Sequence, residues 1–332
     1  MALVHPSVWR VLVLVAVVGV VAFGSPATAL AHGGTGGSAS DYQVRISGYS
    51  GDRSGFELRI IEFGNRVELR RTTAAMILVL GYEHEPYLRL DAGGVFENVN
   101  SPAHYLNRDR FAATVPPPTA TAAAAPSWTR IDSGTIVRWH DHRAHWMSPT
   151  PPAPVQANPG VSRLVHSDTV ELQVDGRPVG VHVDVTWLPK PIKLVWLGSA
   201  AMLLAAVAAI LVLVPDTERF VPTAAFAAAV TGVFGQGQST TRLVLSALAI
   251  AVAVAGLVTR RRMVSVAAAG LTGVLAATRL EVFEHELLAG FVGGRVERVA
   301  VVLALGISLG IVAAAIVGAL SPSNPKVVGD GP

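Results

Sequence analysis

The stretch VELQVDGRPVGVHVDVTW, residues 170–187, decides the fold of the first half of the chain. At its centre, Asp175-Gly176 is typical of the type I′ turn that joins two antiparallel strands. Apolar and polar residues alternate on both sides of this turn, which is the pattern of a strand with one buried face. We therefore predict a β-hairpin with His182 and Asp184 on its outer face. Its inner face would carry Val170, Leu172, Val174, Val179, Val181, Val183, Val185 and Trp187.

Four segments upstream of this hairpin also have the composition of short strands, rich in β-branched and aromatic residues. Helical periodicity is absent from residues 32–192, so short strands are expected throughout this region. We therefore predict a β-sandwich of the cupredoxin or immunoglobulin type, with a barrel as the alternative. Residues 116–127 and 149–160 are rich in proline and alanine and are expected to be irregular. The four strand segments are YQVRIS (42–47), FELRII (56–61), MILVL (76–80) and GTIVRWH (134–140).

Residues 1–31 have the features of a secretory signal peptide. Arg10 supplies a positive charge, residues 11–23 are apolar, and residues 29–31 form a small-x-small cleavage motif. Cleavage there makes His32 the first residue of the mature chain. An uncleaved anchor helix is the alternative, and an earlier cut would leave this histidine inside a short tail.

The C-terminal part, residues 193–320, is predicted to be a transmembrane bundle of about five helices. The whole chain is 51% hydrophobic but only 15% charged, whereas soluble domains carry about 25% charged residues. The first and last apolar segments are long enough to cross a bilayer, and the middle three are shorter, with 16 residues each. The five segments are 194–214, 220–235, 243–258, 263–278 and 299–320.

Signal and charge pattern together predict the orientation. A secreted domain over residues 32–192 starts outside, and five crossings then place Arg260–Arg262 and the tail 321–332 in the cytoplasm, as the positive-inside rule requires. We expect a multi-pass protein of the plasma membrane with an extracytoplasmic β-domain. Its expected partner is the lipid bilayer, with a second membrane protein as a further candidate. A net charge of +3 without a long basic run argues against nucleic acid.

Two features of the membrane part predict local structure. Gly306 and Gly310 form a small-xxx-small pair that suits close helix packing. Residues 281–291, EVFEHELLAGF, are predicted to be an amphipathic helix at the membrane interface, with Glu281 and His285 as i,i+4 neighbours. The alternative is that these two side chains hold a cation at the membrane surface.

The densest group of histidines is WHDHRAHWM, residues 139–147. If this segment continues the preceding strand, His140 and His142 point to the same face. Two neutral imidazoles at this spacing are good ligands for copper, zinc or nickel. His145 and Met147 follow closely and extend the set of candidate donors. The alternative is an exposed polar strand face that binds no metal.

A mature N-terminal His32 would add donors from a single residue, its α-amine and its imidazole. The pKa of such an amine is about 7.7–8.0, so a metal can displace its proton near neutral pH. The resulting nitrogen-rich set favours Cu(II). We therefore predict a copper site built from the following residues: His32, His140, His142, His145 and Met147. The alternative is that HGGTGGSAS, residues 32–40, is a mobile tail. The chain has no cysteine, which excludes thiolate metal sites, blue-copper centres and disulfides.

A mature N-terminal histidine followed about 100 residues later by Trp-His-x-His resembles the B subunit of particulate methane and ammonia monooxygenases. The matching residues are His32, Trp139, His140 and His142, and the resemblance implies that these three histidines bind copper. It extends to those residues alone. No second soluble β-domain follows the membrane part, His145 stands where that family's motif runs into methionines, and that subunit needs partner subunits. Monooxygenase activity is therefore not implied.

Two broader resemblances complete the comparison. Copper-resistance C-type periplasmic proteins are similar in using a mature N-terminal histidine on a β-sandwich. Over its whole length, the chain resembles actinobacterial membrane proteins to which no function is assigned.

Residues 81–108 form the other unusual stretch, with His84, His104 and several tyrosines. We interpret it as a strand pair with a turn at residues 91–94, followed by a long connection. The alternative is that it forms a pocket wall or an outer shell of a metal site.

The expected function is that of a membrane-anchored, extracytoplasmic copper-binding protein that handles or delivers the metal. An enzyme is not expected, because the chain lacks a phosphate-binding glycine loop, a serine nucleophile elbow and an HExxH motif. One alternative is a non-metal interaction or assembly module of the cell envelope. Another is a transporter whose β-domain acts as a substrate receptor.

Overall fold

The computed structural model describes residues 39–290 and 292–320, which divide into two compact units. Strands build the first unit, up to residue 190, and helices build the second. The predicted signal peptide and His32 precede the described residues, and the predicted cytoplasmic tail follows them. Those three predictions therefore lie outside the part of the chain that the structure describes.

Within the described residues, the β unit contains ten strands of more than two residues, and they pair antiparallel in two sheets. They are β1 (Tyr42–Ser50), β2 (Phe56–Ile61), β3 (Arg66–Arg71), β4 (Ile77–Leu80), β5 (Pro86–Asp91), β6 (Gly94–Asn98), β7 (Trp128–Asp132), β8 (Ile136–Trp139), β9 (Arg163–Val174) and β10 (Arg177–Trp187). The larger sheet has the order β1-β10-β9-β4-β5-β6-β7 and the smaller sheet the order β2-β3-β8.

The predicted hairpin is formed by β9 and β10. Asp175 and Gly176 both have positive φ, 47° and 77°, as a type I′ turn requires. Val170 pairs with Val181 in the antiparallel register. Every apolar side chain of the predicted inner face is buried, with at most 9% of its surface exposed. The period-2 prediction is therefore confirmed for this hairpin.

Both sheets contribute to one hydrophobic core. Leu69 of β3 in the small sheet and Val79 and Leu172 of the large sheet belong to the same buried cluster, and Leu69 and Val79 are completely buried. Burial of such side chains contributes about 1.5–3 kcal/mol each relative to exposure. The prediction of an antiparallel β-domain followed by helices is confirmed at this level.

The structure corrects the β unit in two places. Two short helices, α1 (Pro102–Leu106) and α2 (Ala153–Ala157), occur in a region where no helix is expected. Helix α1 begins where the Ser101 side chain accepts a hydrogen bond from the Ala103 amide at 3.2 Å, which caps the helix. Five-residue helices are too short to leave a periodic pattern in the sequence.

Within the described residues, the helical unit contains five longer helices, and each overlaps one of the predicted apolar segments. Three of them, α3, α5 and α7, are long and apolar enough to cross a membrane. Helices α4 and α6 have 14 and 16 residues, so five crossings stay a prediction. The helices are α3 (Lys193–Leu213), α4 (Val221–Phe234), α5 (Thr240–Thr259), α6 (Arg262–Ala277) and α7 (Gly294–Leu320).

The predicted interfacial helix over residues 281–291 is wrong. A 3-10 turn at Leu280–Phe283 is followed by an extended pair of residues, Leu287–Leu288. Arg298 explains this shape, because its guanidinium donates to the backbone carbonyls of Val282 and Glu286 at 2.9 and 2.8 Å. An α-helix would use such carbonyls for its own hydrogen bonds.

The glycine pair of α7 provides close contact with α3. A β-carbon added at Gly310 would lie 2.7 Å from the Val207 β-carbon and 2.9 Å from the Leu204 carbonyl oxygen. One added at Gly306 would lie 2.8 Å from the Leu203 β-carbon. The absence of side chains at both positions therefore sets the distance between the two helices.

Replacing Val183 by Asp should lower the free energy of unfolding by about 3 kcal/mol or more, because it places an unpaired carboxylate in the core. Val183 has no exposed surface. Thr186→Asp introduces the same group on the outer face of β10 and should cost less than about 1 kcal/mol. Denaturant unfolding of the full chain in detergent, followed by tryptophan fluorescence, measures both; equal losses would contradict the assigned faces.

Gly310→Ala should lower the melting temperature by about 2–4 °C or more, because overpacking costs about 1–3 kcal/mol. Gly270→Ala is the matched control in α6, since a β-carbon there meets nothing within 4 Å. The control should leave the melting temperature unchanged or raise it, because alanine is the better helix former. A thermal scan of the full chain in detergent gives the comparison, and a tolerated Gly310→Ala would rule out the close packing.

Candidate metal centre

Three histidines, His140, His142 and His145, converge directly after the end of β8. Each offers one ring nitrogen, and these nitrogens lie within 4.8 Å of one another. The ring centroids are 4.4–5.4 Å apart. Among the described residues, this is the one group of three or more histidine or carboxylate side chains with metal-ligand spacing.

The cluster forms because β8 ends before residue 140, where the sequence predicts the end of this strand. Strand β8 stops at Trp139, and a 3-10 turn over His142–Ala144 follows. Asp141 caps this turn by accepting a hydrogen bond from the Arg143 amide at 3.1 Å. The interpretation of His140 and His142 as neighbours on one strand face is therefore wrong, since a turn brings the rings together.

A buried ion pair holds that turn in place. Asp141 is completely buried and accepts hydrogen bonds from the Trp139 indole at 2.8 Å and from the Arg143 guanidinium at 2.9 Å. Burial alone would raise the pKa of Asp141, but the charge and hydrogen bonds of Arg143 lower it overall. Arg143 also donates to the Leu80 carbonyl at 3.1 Å, which ties the turn to the end of β4.

Backbone carbonyls fix the orientation of two of the rings. The His140 Nδ1 atom lies 2.6 Å from the Asn65 carbonyl oxygen, and the His142 Nε2 atom lies 3.1 Å from the Asp109 carbonyl oxygen. A carbonyl only accepts, so each of these nitrogens carries the proton. The lone pairs are therefore on His140 Nε2 and His142 Nδ1, and such carbonyl contacts orient the ligands of known metal sites.

Gly64 allows the Asn65 carbonyl to reach His140. Its φ of +93° is favourable only for glycine, and a β-carbon there would lie 2.5 Å from the Ala144 carbonyl oxygen. The two chain segments therefore approach closely at this point.

His145 is the most buried member, with 3% of its surface exposed. Burial lowers the pKa of His145 to about 3, and repulsion from His140 and Arg110 adds to the shift. The pKa of His140 is also lowered, mainly by burial. Both rings are therefore neutral near pH 7, as metal binding requires.

The His145 ring has one nitrogen without a hydrogen bond and one that faces another imidazole. Its Nδ1 atom is buried and has no hydrogen-bond partner among the described residues. Its Nε2 atom lies 2.6 Å from the His140 Nε2 atom. Two imidazoles on one tetrahedral metal at about 2.0–2.1 Å would hold their nitrogens about 3.3 Å apart, so this pair must open slightly on binding.

Tyr82 supports His142 from residues 81–108. Its hydroxyl accepts from the His142 amide at 3.0 Å and donates to the Asn107 side chain, and its ring stacks on the imidazole with centroids 5.7 Å apart. Strands β5 and β6, with the turn between them, confirm the predicted strand pair. The alternative, an outer shell of a metal site, stays a prediction, although Tyr82 of this stretch contacts His142.

Of the five predicted copper ligands, the structure brings three together. Met147 is half-buried two residues after His145, and its role as a ligand stays a prediction, as does that of His32. The remaining histidines of the β unit have other neighbours. His84 and His104 contact Glu171 at 2.5 Å and Glu97 at 2.9 Å.

Sequence reasoning missed the groups that orient the rings. The Asn65 and Asp109 carbonyls belong to distant segments and are backbone atoms, so their side-chain identities carry no signal. The sequence shows Tyr82 only as one of several tyrosines in residues 81–108 and does not indicate its contact with His142.

The arrangement can hold a transition-metal ion through neutral nitrogen donors, with positions left for other ligands. Borderline metals such as Cu(II) and Zn(II) suit imidazole donors, whereas Mg²⁺ and Ca²⁺ need oxygen. A comparison of the chain with protein-family models, with curated proteins and with solved structures finds no match. The geometry of this cluster is therefore the basis for assigning a function.

In the metal-free chain, stability should fall as the pH drops from about 6.5 towards about 3. Over this range the unfolded chain protonates His145, whose unfolded pKa is about 6.5, while the folded chain does not. One such group lowers the free energy of unfolding by up to about 1.4 kcal/mol per pH unit. Above the pKa that His145 has in the unfolded chain, this ring is neutral in both states. The free energy of unfolding then keeps the full contribution of His145 and does not change with pH on its account.

Denaturant unfolding at about pH 7.5 and about pH 5 measures this slope. His145→Phe should reduce the slope by the contribution of one proton. Thr129→Phe is the control, because that position is exposed and carries no ionisable group. If the native chain and His145→Phe have the same slope, His145 does not titrate as described.

Proposed function

We propose that the β unit binds a transition-metal ion through His140, His142 and His145, and that copper is this metal. The observation that supports the proposal is the convergence of three imidazoles with two lone pairs fixed by the Asn65 and Asp109 carbonyls. Surface histidines that lie near each other by chance would not need the carbonyl contacts. They would not need the buried Asp141–Arg143 pair behind the turn either.

Copper is preferred over zinc on the donor chemistry. The three donors are neutral nitrogens, and no thiolate exists in the chain. Affinity for nitrogen donors is greatest for Cu(II) in the divalent series. The His32 amine and imidazole, and the Met147 thioether, would complete the coordination, in the manner of the monooxygenase B subunit that the chain resembles.

The proposed role is metal handling or delivery at the outer face of the plasma membrane. Three helices that are long and apolar enough to cross a bilayer support membrane attachment. His140 is only half-buried, so a partner protein could exchange the metal there. The two sheets with their common core are compatible with the proposed cupredoxin- or immunoglobulin-like sandwich.

Titration of the full chain with Cu(II) at neutral pH, against a competing chelator, tests the site. His140→Ala with His145→Ala should weaken binding at least about 100-fold, because losses of outer-shell partners alone cost about 10–100-fold. His166→Ala is the control, since that imidazole lies outside the cluster and 3.6 Å from Asp168. Electron paramagnetic resonance of the native complex should show coupling to several nitrogens.

A second pair of proteins tests the N-terminal donor. Adding one residue before His32 moves the α-amine and leaves every side chain intact. Weaker Cu(II) binding by the extended chain would support the amine as a ligand, and equal binding would limit the site to the three clustered histidines. If native and doubly substituted chains bind equally weakly, the metal proposal fails. Tighter binding of Zn(II) than of Cu(II) would overturn the choice of copper.

A further inference from the structure

Among the described residues, five buried side chains in the helical unit keep an oxygen atom without a hydrogen-bond partner. One is Ser265, which lies against Gly256 of α5, and the other four form one group. They lie where α4, α6 and α7 meet, and at most 3% of each residue is exposed. Among the described residues, none supplies the missing partner. The four atoms are Glu297 Oε1, Gln236 Oε1, Thr272 Oγ1 and Ser308 Oγ.

Arg279 connects Glu297, the charged member of these four side chains, to the end of α4. Its guanidinium donates to Glu297 Oε2 at 3.0 Å and to the Gly235 carbonyl at 2.7 Å. The other carboxylate oxygen, Glu297 Oε1, lies against Gly290, where an added β-carbon would overlap it. One oxygen of the Glu297 carboxylate is therefore paired with Arg279. The other lies against Gly290, in the segment that precedes α7.

Gln236 and Thr272 continue the line inward. The Gln236 amide nitrogen donates to the Gly232 carbonyl at 3.2 Å, so this side chain folds back along α4. The Thr272 methyl carbon lies 3.4 Å from the β-carbon position of the same glycine. Both side chains therefore contact Gly232, which places them at one level of the bundle.

Ser308 is the innermost member. Its β-carbon lies 3.5 Å from the β-carbon position of Gly273, the neighbour of Thr272. At 1.5 Å per residue, Ser308 is about 16 Å along α7 from Glu297. Beyond it the core is apolar and closed by Ala225, Ala269 and Ile311, which are at most 1% exposed.

The chemistry of the free atoms limits what can occupy this line. A buried oxygen without a partner costs several kcal/mol in an apolar environment. The Glu297 and Gln236 oxygens are acceptors only, so their missing partners must be hydrogen-bond donors or cations. Hydroxyl groups such as those of Thr272 and Ser308 both donate and accept. Each can therefore link two hydrogen-bonding neighbours.

We propose that these four side chains line a blind, hydrated pocket that admits small cations, as protons or hydrated monovalent ions, from the Glu297 end as far as Ser308. Glu297 supplies the negative charge at the entrance, and Arg279 is the internal cation that pairs with it when the pocket holds only water. The apolar residues beyond Ser308 prevent a continuous leak. The pocket does not depend on the proposed metal centre.

Cysteine accessibility tests this pocket, because the chain has no cysteine of its own. Thr272→Cys and Ser308→Cys are close in size to the native residues, and Ala269→Cys in α6 is the buried control. Each full-length variant, in detergent, is treated with aminoethyl methanethiosulfonate, a cation, or with the anionic sulfonatoethyl reagent of similar size. Thermal unfolding of each variant verifies that it is folded.

We expect the cationic reagent to modify Thr272→Cys and Ser308→Cys at least about tenfold faster than Ala269→Cys, and at least about tenfold faster than the anionic reagent does. Adding Glu297→Gln should slow the cationic reaction and leave the rate with a neutral reagent unchanged. Slowing by NaCl relative to choline chloride would identify alkali ions as occupants, whereas no slowing would assign the pocket to water and protons.

Two results would overturn the proposal. If folded Thr272→Cys and Ser308→Cys react as slowly as Ala269→Cys, no water reaches the four oxygens and the pocket is not hydrated. If the anionic reagent reacts as fast as the cationic one, the pocket does not select cations. Because the two test positions lie on different helices, loss of folding in one variant leaves the other to decide.

Discussion

The buried ion pair of Asp141 and Arg143 is the interaction on which the histidine cluster depends. It lies behind the turn, binds the Trp139 indole and reaches the Leu80 carbonyl, so it fixes the chain on both sides of His140 and His142. Removal of one partner from such a pair leaves an uncompensated buried charge, at a cost of about 3–5 kcal/mol. The rings in front are then held close together, and the Asn65 and Asp109 carbonyls orient two of them.

The helical unit handles buried charge differently. There the guanidinium groups of Arg279 and Arg298 bind backbone carbonyls as well as carboxylates, and they stabilise irregular segments next to helix ends. In the β unit, a charged pair shapes a turn that presents nitrogen donors. In the helical unit, charged pairs leave oxygen acceptors without partners. The two proposed sites would therefore suit different classes of ion, soft or borderline metals in the β unit and hard cations in the helical unit.

Elements with strong periodicity could be predicted from the sequence. The hairpin around Asp175-Gly176 and the five apolar helices follow from local patterns, because burial on one face or on all faces repeats along the chain. The turn after Trp139 could not be predicted in this way. It depends on Arg143, which pairs with Asp141 and donates to the Leu80 carbonyl at the end of β4, some sixty residues away. This contact overrides the strand pattern of residues 134–140.

The site was therefore predicted in its residue types and not in its geometry. The motif 139–147 identified His140, His142 and His145, but with the first two on one strand face. The contacts from Asn65 and Asp109 come from backbone atoms of loops, and no side-chain pattern encodes them. The segment 281–291 fails for a related reason, because Arg298 competes for carbonyls that a helix would need.

The 2.6 Å separation of the His140 and His145 Nε2 atoms would have a kinetic consequence for the proposed metal site. Since the Asn65 carbonyl keeps the His140 proton on Nδ1, the hydrogen shared between the two Nε2 atoms belongs to His145. An incoming metal can take both Nε2 lone pairs only after that hydrogen leaves or moves to the buried Nδ1 of His145, which has no acceptor among the described residues. Loading through this pair would thus include a tautomer exchange, and the association rate would be set by this rearrangement and not by diffusion alone.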